Sequence, residues 1–451
     1  MTESQNGNGA DDRAAASALP KASLGEGVQF VVAGLLPALV RGLFSPRKGA
    51  MKLLTRLDAD ARTTAVLRAI RSKHGGEGVR LLGGRIVTLW GPSAISEVLD
   101  RSADVYHSGS GAKAKGMSHF QPDALTLSHG DEWKDRRRFN ESVLATSSEL
   151  HPDAAQFLKV VDEEVARLPV FEELDWDKFE ELFDRVTLRV IFGDGARDDT
   201  ELTELLEKLM GEANGLVGLS ESDEYYEFYG MLERKLRDPE PGSLLARFAE
   251  APQSDHTRVA HQIPHMMFAM RDTLGANTFR ALALAVADTD VESKVLASLE
   301  GGDLSDPSFV GRLDYLEGCL QEAMRLWPTV PMLARETTRE TTLAGAKLDE
   351  GTQVMILNTF NHRDVDAVPD ANRLRPERWM DSSKRNPKFN HLSGGSQYCP
   401  GIPLVLLLGK AVIAHLVSAY KMRLEEPELD VSGDLPHMLD FYSLRFSVAA
   451  R

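Results

Sequence analysis

Hydrophobic positions recur at three- and four-residue spacing along most of this chain, which predicts a mainly α-helical protein. The clearest run is 402–420, apolar and bounded by Pro400 and Gly401 at its start. Residues 54–73, 94–99, 131–144, 154–192, 202–236 and 314–326 carry the same period. The stretch 259–286 has few charges, and a helix apolar all round must be buried. Period-two alternation is confined to a small β region. It comprises a hairpin over 79–90 around Gly83 and Gly84, strands over 341–360 around Gly345 and Gly351, and short strands over 423–451. Residues 107–121 and 361–379 have neither period and read as loops. Residues 28–44 are apolar but interrupted by Gly34, Pro37 and Arg41. A spanning helix needs about 20 mostly apolar residues, so this stretch predicts a helix packed on the domain.

Composition narrows the function classes. The 451 residues are 42% hydrophobic and 27% charged, as in an ordinary soluble globular protein. A net charge of −16 argues against nucleic acid as a partner. Two cysteines, Cys319 and Cys399, rule out a disulfide framework and any multi-cysteine metal cluster. A reducing, cytoplasmic setting follows. Residues 1–24 are polar, lack a secretory pattern and read as a disordered tail. No later composition shift divides the chain, so 25–451 reads as a single domain.

Candidate chemistry lies in four places. In 391–401 (HLSGGSQYCPG) a glycine-rich loop delivers Cys399 to the start of a helix, where the dipole and free N–H groups favour a thiolate. Taken alone, the loop favours a buried structural cysteine. In the buried helix Arg271, Asp272 and Thr273 stand in a row, and an adjacent carboxylate and hydroxyl there can relay protons. Glu322 and Arg325 share a helix face, as do Trp133 and Arg137. The latter pair suits an anionic group, although Arg136 to Arg138 also reads as a solvated basic face, able to dock an acidic partner.

The order of these motifs carries more than any one of them. A buried helix with Asp-Thr, then E-x-x-R, then P-E-R-W, then a glycine-rich loop with cysteine before a helix, resembles the cytochrome P-450 family of haem-thiolate monooxygenases, in its soluble bacterial form. The resemblance runs from about residue 50 to the C-terminus. It implies the P-450 fold, with haem b between a distal and a proximal helix. Cys399 matches the axial iron ligand, and Glu322, Arg325 and Arg378 match a buried network that holds the cysteine loop. Trp133, Arg137 and Arg335 match the partners of the haem propionates, with Gln397 and Gly395 in the cofactor loop. Asp272 and Thr273 match the catalytic acid–alcohol pair; a competing register puts Asn277 and Thr278 there. Both pairs cannot face the haem, because five residues turn a helix by about 140°.

Several positions depart from the family pattern. Leu392 replaces an aromatic, Gln397 replaces a basic residue, and Met270 replaces a glycine that leaves room in the pocket. Arg271 resembles the substrate-holding arginine of peroxide-using relatives. The implied reaction inserts one oxygen atom from O₂ into a small organic substrate, with electrons from a separate ferredoxin or ferredoxin reductase-type donor and without stable membrane insertion. The alternatives are a peroxide-driven peroxygenase and a non-catalytic haem-binding protein. The substrate pocket is expected from 107–121, 202–236 and the distal helix.

Overall fold

The computed structural model describes residues 19–168, 172–215, 221–381 and 386–451. Most of the expected N-terminal tail lies outside the described residues. Its last part is docked: Leu19 is fully buried, and Lys21 bridges to Arg80.

Helix α1 (Leu24–Arg41) begins with a capping box in which Ser23 and Glu26 satisfy each other's backbone N–H groups. Phe30 is buried among residues of α3, but only that face packs. Leu24, Val28, Val32, Leu36 and Leu39, spaced by three or four, are exposed. By length and composition alone, two helices among the described residues are apolar enough to cross a membrane, α1 and residues 402–419, and the second is mostly buried. The helix expected over 54–73 is two helices, α2 (Lys48–Arg56) and α3 (Ala59–His74). They are separated at Asp58, whose φ of 45° is left-handed.

Strands β1 (Gly78–Leu81) and β2 (Ile86–Leu89) form the expected hairpin, with Gly78 opposite Leu89 and both turn glycines at positive φ. Then come α4 (Pro92–Asp100), β3 (Tyr106–His107) and α5 (Gly111–Met117). The last corrects the expected loop over 107–121. Two glycines and two lysines hide its period, yet burial of Met117 fixes it. Next are α6 (Gly130–Val143), α7 (Ala154–Ala166), β4 (Glu173–Leu174), α8 (Trp176–Phe192), α9 (Thr200–Ala213) and α10 (Asp223–Arg237). The long helix α11 spans 263–286. It is followed by α12 (Thr289–Leu299), capped by Asp288, and α13 (Asp314–Leu326). Strands β5 (Met332–Thr337), β6 (Thr341–Leu343), β7 (Ala346–Leu348) and β8 (Gln353–Leu357) lead to α14 (Ile402–Ala419), β9 (Tyr420–Glu426) and β10 (Arg445–Ala450).

The larger sheet runs β1-β2-β8-β5-β3; β2 pairs with β8 in parallel, and the other pairs are antiparallel. Helix α11 lies at the centre of the core, with every residue from Gly275 to Val286 buried. Phe279 stacks on Phe179 of α8 at 4.5 Å. Helices α11, α13 and α14 meet at Gly409, where a Cβ would lie 2.6 Å from Leu320 and 3.4 Å from Leu274. That close approach seats the cysteine helix against the distal helix.

Candidate active site

The cysteine loop is held from several sides. Its first turn closes on itself, the Cys399 N–H donating to the Leu392 carbonyl at 2.9 Å. Gly395 has φ +57°, and a Cβ there would sit 2.2 Å from the Leu99 carbonyl carbon. Its missing side chain therefore lets the loop lie on the end of α4. Ser396 Oγ fixes the same contact, accepting from Ala103 N–H at 3.1 Å and donating to Leu99 O at 3.2 Å. Cys399 is half-buried immediately before α14. Burial pushes its thiol up, while the Gly401 N–H and Arg137 pull it back down. Cys319 is fully buried inside α13.

Behind the loop stands a buried ionic network. Glu322 and Arg325 are fully buried and joined by two parallel hydrogen bonds of 2.7 Å. The remaining Arg325 N–H groups reach the carbonyls of His362, Ala371 and Arg373. Glu322 also accepts from Arg375 N–H and from the Trp379 indole, each at 2.9 Å. Arg378 stands farther off, with Nε 3.5 Å from Glu322. The nearer PERW contact is thus Trp379, which sequence reasoning missed, although an indole N–H in a buried segment needs an acceptor. The network reaches the loop through His362, which accepts from Asn390 N–H at 2.9 Å. The Trp379 and His391 rings also meet, at 5.0 Å.

The distal helix contains a feature the period did not foretell, a π-helical turn over Ala269–Leu274. Such turns widen a helix by one residue and re-aim its side chains. His265, Phe268, Ala269, Asp272 and Thr273 are half-buried, one open face on an otherwise buried helix. Asn277 donates to Thr329 Oγ1 at 3.3 Å, and Thr278 is fully buried with no partner for its hydroxyl. Met270, expected to crowd the pocket, is buried in the main core instead. Arg271 points into a cage of carboxylates, 2.7 Å from Asp184, 3.1 Å from Asp272, 3.2 Å from Glu207 and 3.6 Å from Glu180. Burial raises Glu180 to about 7 and Asp272 to about 6; Arg271 opposes both shifts, and the neighbouring carboxylates add to them. Oδ2 of Asp272 is buried without a partner.

Two guanidinium groups complete the site. Arg137 of α6 donates to the Tyr398 carbonyl at 2.7 Å and lies 4.3 Å over the Tyr398 ring, leaving Nη2 buried and unpartnered. Trp133, one turn earlier, is half-buried. Arg335 is buried, donates to Ser102 Oγ at 2.8 Å and has no carboxylate partner among the described residues. Burial alone lowers its pKa to about 10. Gln397 donates to the Ser102 carbonyl at 3.3 Å. Arg136, expected on a solvated face, is buried by hydrogen bonds to Asp123, Ser128 and the His256 carbonyl. Only Arg138 and Lys134 of that run are exposed. A thiol at a helix start, an orphaned guanidinium N–H and a buried arginine lacking an acid together suit a metallated macrocycle carrying carboxylates.

Comparison with known proteins agrees. The family model described as Cytochrome P450 matches residues 228–435. "Cytochrome P450 4V2" of Rattus norvegicus is 27% identical over 41% of this chain and 37% of its own length. "(S)-canadine synthase" of Coptis japonica is 29% identical over 37% of this chain and 35% of its own. "Cytochrome P450 81F4" of Arabidopsis thaliana is 24% identical over 71% of this chain and 73% of its own. The chain thus spans 37%, 32% and 35% of the length of the first curated relatives it matches. These relatives are animal and plant proteins, so the soluble bacterial form finds no support among them. The family's cofactor is haem b, and the residues above fit it. Over residues 228–435 the chain is similar to the cytochrome P450 family.

Proposed function

We propose that residues 25–451 form one haem-thiolate monooxygenase domain that inserts one oxygen atom from O₂ into a small organic substrate. The observation that carries this reading is Cys399 at the start of α14 with Arg137 beside its loop and Arg335 buried without an acid. Cys399 would hold the haem iron; Arg137, Trp133 and Arg335 would hold its carboxylates. When bound, a haem with thiolate ligation supplies oxygen activation, the sulfur donating electron density that favours O–O cleavage.

The chain's own residues supply the protons. Asp272, raised to about 6 by burial, can take up and give back a proton at the unpartnered Oδ2, and Thr273 on the same half-buried stretch passes it on. The full burial of Thr278 and the Asn277–Thr329 contact favour this pair over the later register. Electrons come from a separate ferredoxin-type donor, for which exposed Lys134 and Arg138 offer positive charge. The peroxygenase reading needs a free distal arginine, and Arg271 is already surrounded by carboxylates.

The reduced carbon monoxide complex should show the red-shifted Soret band of thiolate ligation, and Cys399→Ala should abolish it. A wild-type protein without that band overturns the proposal. Peroxide turnover matching the rate with ferredoxin and reductase would replace it with the peroxygenase reading. The cytoplasmic location is also a proposal; recovery in the membrane pellet, through the exposed face of α1, overturns it.

A further inference from the structure

His265 lies in the first turn of α11 and plays no part in the motifs above. It stands two turns before Asp272 and Thr273 on the same half-buried face, with only Phe268 and Ala269 between them there. Its Nδ1 lies 3.1 Å from Oε1 of Gln121. Gln121 is fully buried and its backbone is tied on both sides, its N–H donating to the Met117 carbonyl at 2.8 Å and its carbonyl accepting from Ala124 N–H at 3.2 Å. An amide oxygen only accepts, so the imidazole hydrogen is on Nδ1. Burial, with Lys113 adding, holds the His265 pKa down to about 4, and the ring is neutral at ordinary pH. A neutral imidazole with its hydrogen on Nδ1 presents a lone pair at Nε2. That nitrogen makes no hydrogen bond among the described residues and is not walled in. Gln121 leaves its own Nε2 buried without an acceptor. An orphaned buried donor is destabilising, and here it accompanies the orientation of one ring.

The Phe268 ring, 6.0 Å from that of His265, and the Ala269 methyl offer no hydrogen bond. A molecule lying along this face therefore meets an apolar stretch and then one acceptor. We propose that His265 determines specificity: its Nε2 accepts a hydrogen bond from a hydroxyl or N–H group of the substrate, whose oxidised carbon lies roughly 10 Å away, two helical turns on, beside Asp272 and Thr273. Gln121 is a positioning residue that fixes the tautomer. The inference rests on the haem-thiolate reading and names a substrate class for it, an apolar body with a hydrogen-bond donor at its far end.

The test titrates the holoenzyme with 1-dodecanol and cyclododecanol and with their methyl ethers, following the shift of the haem spectrum. The ethers keep the size and the acceptor oxygen but lack the donor hydrogen. Each alcohol should bind about tenfold tighter than its ether, as one added hydrogen bond requires. His265→Leu should remove that preference while leaving ether affinity in place, which separates the hydrogen bond from packing. In the reduced carbon monoxide complex, the ¹⁵N shifts of His265 should show the hydrogen on Nδ1, and Gln121→Leu should give mixed tautomers and a weaker alcohol preference. Equal binding of alcohol and ether by the wild type overturns the inference, as does a preference that survives His265→Leu, a hydrogen found on Nε2, or a spectrum that none of the four molecules shifts. A wild type without the red-shifted Soret band defeats the haem reading instead, which keeps the two failures apart.

Discussion

Asp272 shows how one residue's chemistry is set by its surroundings. Its carboxyl is raised to about 6 by burial, with Asp184 and Glu207 adding to the shift and Arg271 opposing it. Below that pH it is neutral and able to donate from Oδ2; above it, it is an anion paired with Arg271. Turnover limited by proton delivery should therefore fall as pH rises through about 6. Asp272→Asn should remove that inflection and lower kcat by ~10²-fold. A pH–rate profile unchanged by the substitution places the relay elsewhere. The stability sign is the same. The folded state binds more protons than the unfolded chain between the ordinary carboxylate range and about 6, so this group's stabilisation fades as pH rises across that window. Thr273→Ala should raise the peroxide released per electron consumed, and unchanged coupling would point to Thr278. The row Arg271-Asp272-Thr273 was legible because a buried ionisable residue stands out in an apolar helix. The direction of Arg271 was not, because its partners come from α8 and α9, 64 to 91 positions away in sequence.

At the scale of elements, α13 and the PERW turn act as one unit. Arg325→Leu leaves Glu322 buried and unpaired, and should cost about 3–5 kcal/mol in urea unfolding. Trp379→Phe keeps the ring against His391 but removes the indole donor, and should cost about 1–3 kcal/mol. If Trp379→Phe is silent while Arg378→Leu is not, Arg378 is the stronger partner after all. Gly395→Ala should displace the cysteine loop from α4, because the new Cβ meets backbone rather than a flexible side chain. Its readout is a shifted or broadened Soret band. Helix positions were legible wherever burial imposes the 3.6-residue period, as in α13, whose bounds match the expectation. The π turn of α11 and the short α5 were not, since each is decided by what packs beside it.

Across the whole molecule, the exposed stripe of α1 and the burial of Arg136 redraw the surface that the sequence implied. A basic docking face built on Arg136 is excluded. Lys134→Glu with Arg138→Glu should slow reduction by an acidic ferredoxin, most at low ionic strength where screening is weakest. Equal rates at low and high salt would place the docking site elsewhere. Local sequence determined the helical class, the small β region, the positions of Cys399, Glu322, Arg325, Asp272 and Thr273, and the absence of a disulfide framework. These follow from periodicity, residue chemistry and count, which need no knowledge of neighbours. Tertiary structure decided which arginines are buried, that Trp379 stands closer to Glu322 than Arg378 does, and that Arg335 meets Ser102 rather than an acid. Such facts depend on residues far apart in the chain meeting at one point, and a linear pattern does not encode that meeting.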